Sequence, residues 1–61
     1  MNDSQDKINQ TRLGLAETEA QKGKNSLEVS YKLDELADLL KEDGHLLDAA
    51  NTSARAKSIR A

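Results

Sequence analysis

The order of apolar and polar positions divides the chain into three helical segments. From residue 27 onwards, apolar residues recur at intervals of three and four, which is the period of an α-helix with one buried face. A weaker pattern of the same kind precedes residue 23. Val, Ile and Thr are few and scattered, so no strand-like alternation is seen. The pattern predicts an all-α chain of three helices.

The first segment, residues 4–22, has a narrow apolar stripe. Ile8 and Leu15 are separated by seven residues, with Leu13 and small residues beside them. Gly14 interrupts the segment, and glycine costs about 1 kcal/mol relative to alanine inside a helix. We expect this helix to be the least stable of the three.

A second helix is predicted over residues 26–42. Gly23 suits the end of the first helix, and Asn25 with Glu28 three residues later resembles a capping box. Its main apolar face has the 3.6-residue period and consists of Leu33, Leu36, Ala37 and Leu40. A further set broadens that face, namely Leu27, Val29 and Leu39. A face this broad favours contact with two neighbours.

Gly44 predicts the turn after the second helix. Glycine readily adopts the left-handed conformation that ends a helix, and only two or three residues remain before the next one. A third helix from residue 45 or 46 to 60 must then fold back as an antiparallel hairpin. Its predicted inner face is mostly small: Leu46, Ala49, Ala50, Ser53, Ala56 and Ile59. Small residues favour close approach of two helices. The organisation is therefore an N-terminal helix and linker, residues 1–25, and a helical hairpin, residues 26–61.

The composition predicts a thin core and association. Hydrophobic residues make up 36% of the 61 residues, and Tyr31 is the single aromatic residue. Cysteine is absent, so neither a disulfide nor a thiolate metal site can add stability. A small chain without such links is commonly stabilised by association. We therefore expect a homo-oligomer.

The charge distribution argues against nucleic acid and membrane partners. Net charge is −2, and all 11 acidic residues lie at or before Asp48. The bases in the last eight residues are typical of a helix C-terminus, and no further aromatic accompanies them for base stacking. The polar start, MNDSQD, is not a signal peptide, and no apolar run approaches the ~20 residues that cross a bilayer. We expect a cytoplasmic protein.

No residue pattern indicates catalysis or a cofactor. His45 is the single histidine, and a metal site would require further strong ligands. Asp34, Asp38 and Glu42 recur every four residues, so they line one stripe of the second helix. A paired-carboxylate active site would also need a cleft and an apolar pocket, which the pattern does not offer. A solvated acidic face is the simpler interpretation, and we expect no enzyme and no cofactor.

The second half of the chain, residues 30–61, resembles one tetratricopeptide repeat of the kinesin-light-chain-like variety. The resemblance is carried by the spacing of Leu33, Leu36, Ala37, Leu40, Gly44, Leu46, Ala49, Ala56 and Ile59. Ser53 stands where the family usually has a bulky or aromatic residue, and Ala61 where a proline often closes the repeat. The resemblance implies that the last two helices form a repeat-like hairpin, within about one and a half repeats.

The resemblance also implies a function, which is binding of a protein or peptide. In this family the first helix of each pair lines the peptide groove, and the matching residues here are Tyr31, Asp34, Asp38, Lys41 and Glu42. An acidic stripe beside an aromatic residue would favour a basic peptide. Tyr31 packing against the first helix is an equal alternative. An unrelated three-helix docking bundle without a peptide groove and a coiled-coil hairpin are the remaining interpretations.

Overall fold

In the computed structural model, residues 3–61 form three α-helices and no strand. They are α1 (Asp3–Lys22), α2 (Leu27–Glu42) and α3 (Leu46–Arg60). The structure describes the backbone from residue 3 and the side chains from residue 5. Residues 1 and 2, at the start of the polar segment MNDSQD, lie outside the described residues. The all-α prediction with three helices is confirmed.

The turn between α2 and α3 is centred on Gly44, which has a φ of +84°. The amide of Gly44 donates to the carbonyl of Lys41 at 3.1 Å, and the amide of His45 donates to the carbonyl of Leu40 at 2.8 Å. This pair of bonds is the Schellman arrangement, which satisfies carbonyls that the end of a helix would leave free. The backbone at Gly44 therefore ends α2 and permits α3 to begin after one residue.

The N-terminus of α2 is capped by Ser26, which corrects the prediction that Asn25 caps this helix. Ser26 has extended backbone angles, and its hydroxyl accepts the amide of Val29 at 3.2 Å. With Ser26 as the cap, the third helical position is Val29, which has no polar side chain to bond back. The predicted capping box with Glu28 therefore does not form. A single side-chain cap satisfies this end of the helix instead.

Helix α2 lies between the other two helices. It contacts α3 extensively and α1 less so, whereas α1 and α3 make no close backbone contact within residues 3–61. Lys41, near the end of α2, lines a groove with Leu46 at the start of α3, and Asp34, in the middle of α2, pairs with Arg60 at the end of α3. Contacts in this order are those expected for the predicted antiparallel hairpin. Because the chain extends over 33 × 21 × 11 Å, the helices form nearly a single layer.

One core joins all three helices. Its buried apolar members are Ile8, Leu15, Val29, Leu33, Leu36, Leu40, Ala49 and Ala56, with Leu39 and Ile59 packed against it at partial burial. Ala37 is also buried. Ser30 is fully buried on α2, and its hydroxyl donates to the carbonyl of Leu27 at 2.6 Å. Residues 25 and 26, where the sequence suggested a division of the chain, lie in the turn between α1 and α2, and the core continues across that turn.

The predicted inner face of α3 is wrong at two positions. Leu46 is 64% exposed, and Ala50 is also exposed. Helix α3 is oriented so that Ala49 and Ala56 are buried against α2, and Leu46 and Ala50 lie at the exposed edge of the groove between the two helices. Leu27, predicted to broaden the apolar face of α2, is also exposed. Gly44 is exposed as well, so its role lies in the backbone turn and not in packing between helices.

Candidate protein-binding surface

The solvent-facing side of α2 is acidic and carries Tyr31. We define the α2 outer face as the residues Glu28, Tyr31, Glu35, Asp38 and Glu42, all of them exposed. They are spaced by three and four residues, which keeps them on one side of a helix. The opposite side of α2 carries the leucines of the core. Burial of those leucines between α1 and α3 therefore orients the α2 outer face toward solvent.

Most carboxylates of the α2 outer face are free to bind a partner. Within residues 5–61, whose side chains are described, no ion pair involves Glu28, Asp38 or Glu42. Glu35 accepts a hydrogen bond from the hydroxyl of Thr11 at 3.4 Å. Tyr31 is 58% exposed beside these groups. An aromatic ring among exposed carboxylates can contact an apolar segment and a cationic group of the same ligand.

Asp34 differs from the other predicted binding residues. Its carboxylate lies 2.8 Å from Nη1 of Arg60 at the end of α3. The carboxylate therefore links α2 to α3, and a cationic ligand would have to displace Arg60 to reach it. Because of this ion pair, Asp34 contributes less free negative charge to the surface than its regular spacing with Asp38 and Glu42 suggested.

The remaining predicted residues line two shallow grooves on either side of α2. Asp38 and Lys41 lie in a groove of about 330 Å³ between α2 and α3. Tyr31 lies in a groove of about 290 Å³ between α1 and α2, together with Thr18. Glu42 is exposed at the last turn of α2. The structure thus places the five residues along one helix but does not gather them into one pocket.

Glu28 and Glu35 were missed by the sequence analysis. Both line the groove of Tyr31. The stripe inferred from the sequence used intervals of four residues, and each such step rotates about 40° around the helix because one residue turns by about 100°. Alternating steps of three and four correct this drift. That spacing from Tyr31 would have identified both residues.

Nothing within the described side chains forms a metal site. No group of three His, Cys, Asp or Glu residues is close enough to hold an ion there. Nε2 of His45 lies 3.1 Å from Oδ2 of Asp43 at the α2–α3 turn, so this histidine forms a local pair at a helix end. No helix within residues 3–61 combines the length and apolar character needed to cross a bilayer.

Comparison of the chain with protein-family models, with curated proteins and with solved structures found no match. The tetratricopeptide resemblance therefore remains a prediction based on residue spacing.

Proposed function

We propose that this chain is a protein–protein interaction module, of tetratricopeptide-like type, that acts as a binding or assembly scaffold and associates with itself. The observation that carries the proposal is the α2 outer face, where Tyr31 is exposed on the same side of the helix as Glu28, Asp38 and Glu42, which form no ion pair within residues 5–61. The favoured ligand is a basic peptide that supplies arginine or lysine to the carboxylates and apolar contact to the ring.

The arrangement of the helices supports this proposal. In a compact three-helix bundle each helix packs against both others, and no helix is flanked on two sides in a single layer. Here α2 is flanked by α1 and α3, which make no close backbone contact with each other within residues 3–61 and meet through the side chains of Glu19 and Arg55. A flat layer leaves a long side of its central helix exposed, as repeat proteins do where they bind peptides.

The test compares two matched double variants. Tyr31→Ala/Asp38→Lys removes the ring and reverses one charge on the α2 outer face. Leu13→Ala/Glu17→Lys makes the equivalent change on the solvent side of α1, where both residues are exposed. The probe is a synthetic peptide of alternating arginine and alanine, and its affinity is measured by fluorescence anisotropy.

We expect the α2 variant to weaken binding about tenfold or more, because an aromatic residue and a charge contact are lost together. The α1 variant should change affinity by no more than about threefold, through long-range charge alone. Backbone NMR shifts on titration should be largest along α2. Equal losses in the two variants, or shifts concentrated on α1, would refute the proposal.

A docking bundle without a peptide groove is the second candidate function, and the exposed leucines favour it. Leu46 and Leu47 are strongly exposed at the start of α3, and Leu46 lines the same groove as Asp38. A partner that binds there would need apolar contact and no basic charge. Tyr31→Ala alone separates the candidates, because Tyr31 lies in the groove between α1 and α2 and binding through Leu46 and Leu47 would be insensitive to its loss.

A further inference from the structure

The outward side of α3 carries an apolar stripe that nothing in the described chain covers. We define the α3 outer face as the exposed residues Leu46, Leu47, Ala50, Ala54 and Lys57. Leu47 is 75% exposed, so it contributes almost nothing to the core. The buried residues Ala49 and Ala56 lie on the adjacent side of the same helix, against α2, and Leu46 and Ala50 lie at the edge of the groove between the two helices. Exposed leucines next to alanines on one side of a helix are typical of a helix–helix interface.

We infer that a second copy of this chain packs on the α3 outer face, with the two α3 helices antiparallel about a two-fold axis. The inference identifies the surface for the self-association in the proposed function and rests on it to that extent. An isologous contact is the usual form of a two-fold dimer, and it requires a self-complementary surface. The charges around α3 meet that requirement.

Charge differs between the two ends of α3. Acidic residues cluster at its N-terminal end and at the adjoining turn, where Glu42, Asp43 and Asp48 lie. Its C-terminal half carries Arg55, Lys57 and Arg60 without an acidic residue. A parallel pair of α3 helices would bring like charges together at both ends. An antiparallel pair instead brings the basic end of each copy to the acidic end of the other, which is favourable.

Lys57, Glu42 and Asp48 are the charges near the two ends of α3 that form no ion pair within residues 5–61, whereas Arg55 is paired with Glu19. Asp43 is paired with His45, and Arg60 with Asp34. In an antiparallel pair, the side chain of Lys57 in one copy reaches the corner where α2 of the second copy ends at Glu42.

The spacing of the small residues sets the register. A two-fold axis midway between Ala50 and Ala54 places Ala50 of each copy opposite Ala54 of the other. The two alanines permit an axial separation near 8 Å, the close end of the range for packed helices. Leu47 of one copy then packs on the aliphatic part of Lys57 of the other copy. Within a single copy, Leu47 and Lys57 lie about 15 Å apart along the helix.

The size of this contact predicts a weak dimer. Two helices that meet over a few turns bury less than the roughly 1,200 Å² typical of stable specific complexes. We therefore expect dissociation in the micromolar to millimolar range. Sedimentation equilibrium from about 10 µM to about 1 mM covers that range.

The main test uses two leucines of similar exposure. Leu47→Lys should raise the dimer dissociation constant about tenfold or more, because it introduces a charge into an apolar contact and places it beside Lys57 of the second copy. Leu13→Lys, on α1, should leave it within about twofold, since Leu13 is 66% exposed outside the α3 outer face. Circular dichroism of both variants checks that they are folded. A monomer throughout the range, or equal effects of the two substitutions, would overturn the inference.

A charge exchange tests the antiparallel orientation. Lys57→Glu should weaken the dimer by about threefold to tenfold, and adding Glu42→Lys to the same chain should restore it. Restoration requires the basic end of one helix to meet the acidic corner of the other. A double variant that is no tighter than Lys57→Glu alone would contradict this orientation.

Cross-linking tests the register directly, since the natural chain has no cysteine. Ala50→Cys and Ala54→Cys are mixed in equal amounts, one of them labelled with heavy nitrogen, in a buffer of reduced and oxidised glutathione. Oxidised glutathione accepts the electrons as two thiols join in a disulfide. The antiparallel pair predicts that links between the two different variants dominate in the mass spectrum, whereas predominant links between identical variants would overturn it.

These outcomes remain separable from the proposed function. A chain that stays monomeric while Tyr31→Ala/Asp38→Lys still weakens peptide binding would refute the α3 interface and leave the proposed function intact. The reverse result would refute the peptide surface and leave the α3 interface intact.

Discussion

The two sides of α2 are packed by side chains of different size. On one side α1 contributes Ile8 and Leu15 to the core, and on the other α3 contributes Ala49 and Ala56. The contact with α3 is nevertheless the more extensive one. Large side chains fill the space between α1 and α2, whereas alanines let the backbones of α2 and α3 approach closely. The extent of a helix contact therefore does not measure the apolar volume that holds it.

This difference predicts opposite sensitivities. The α1 contact should respond most to removal of side-chain volume, and the α3 contact to its addition. Four sets of substitutions test this comparison.

Ile8→Ala should have the largest effect and break the contact between α1 and α2. Ile8 is almost completely buried, and truncating such a residue lowers the free energy of unfolding by about 2–5 kcal/mol through lost transfer energy and a cavity. Leu13→Ala on the same helix should change it by less than about 0.5 kcal/mol. Urea unfolding followed by circular dichroism measures both. Similar losses for the two variants would show that α1 is not held by its buried face.

Ala56→Leu should break the contact between α2 and α3. Ala56 is 0% exposed, so the three added carbon atoms of leucine have no free space. Either α2 must move or the leucine must adopt a strained rotamer, which lowers the free energy of unfolding by about 1–3 kcal/mol. Ser58→Leu, at an exposed position of the same helix, should be nearly neutral. The same unfolding measurement applies. If Ala56→Leu were neutral, the alanine contact would be loose and the comparison between the two sides of α2 would fail.

Gly44→Ala and Gly14→Ala should act in opposite directions. Gly44 has a positive φ, so an alanine there costs about 1–2 kcal/mol and weakens the corner between α2 and α3. Gly14 lies inside α1, where an added Cβ meets no atom within 4 Å, and alanine should stabilise by about 0.5–1 kcal/mol. Thermal unfolding gives both signs. A lower melting temperature for Gly14→Ala would disprove the assignment of a regular helix at that point.

Of the four main destabilising substitutions, Ser26→Ala should have the smallest effect, about 1 kcal/mol, because one helix cap is lost at the junction of α1 and α2. Asn25→Ala should cost less than about 0.5 kcal/mol. Amide exchange at Val29 should quicken in the first variant and not in the second. A greater loss of unfolding free energy for Asn25→Ala than for Ser26→Ala would support the capping box that the sequence suggested.

The helices were predictable because the positions of the glycines and the period of the apolar residues indicate the same helix boundaries. Residues 26–42 and 45 or 46 to 60 were expected as helices, and α2 and α3 span Leu27–Glu42 and Leu46–Arg60. Gly44 could be identified as the turn because glycine readily adopts the conformation that ends a helix and because the apolar pattern of the next helix begins only two or three residues later. The cap at Ser26 could not be chosen over Asn25, because both side chains are good caps and only the local backbone angles separate them.

The candidate surface was less predictable than the helices. Asp34 and Asp38 look equivalent in the sequence, yet Asp34 is paired with Arg60 and Asp38 is not paired within the described side chains. That ion pair joins residues far apart in the chain, so spacing along one helix cannot reveal it. Tyr31, exposed in the groove beside α1, could equally have been packed against that helix.

The sequence by itself determined which segments are helical, where α2 turns back at Gly44 and that α3 has a side of small residues, because these depend on neighbouring residues along the chain. Only the tertiary structure decided that Ala49 and Ala56 meet α2 while Leu46 and Ala50 face solvent, and which carboxylates remain free. Periodicity orders the sides of a helix relative to one another. The rotation of that helix against its neighbour depends on how closely the two backbones can pack, which is a property of the assembled core.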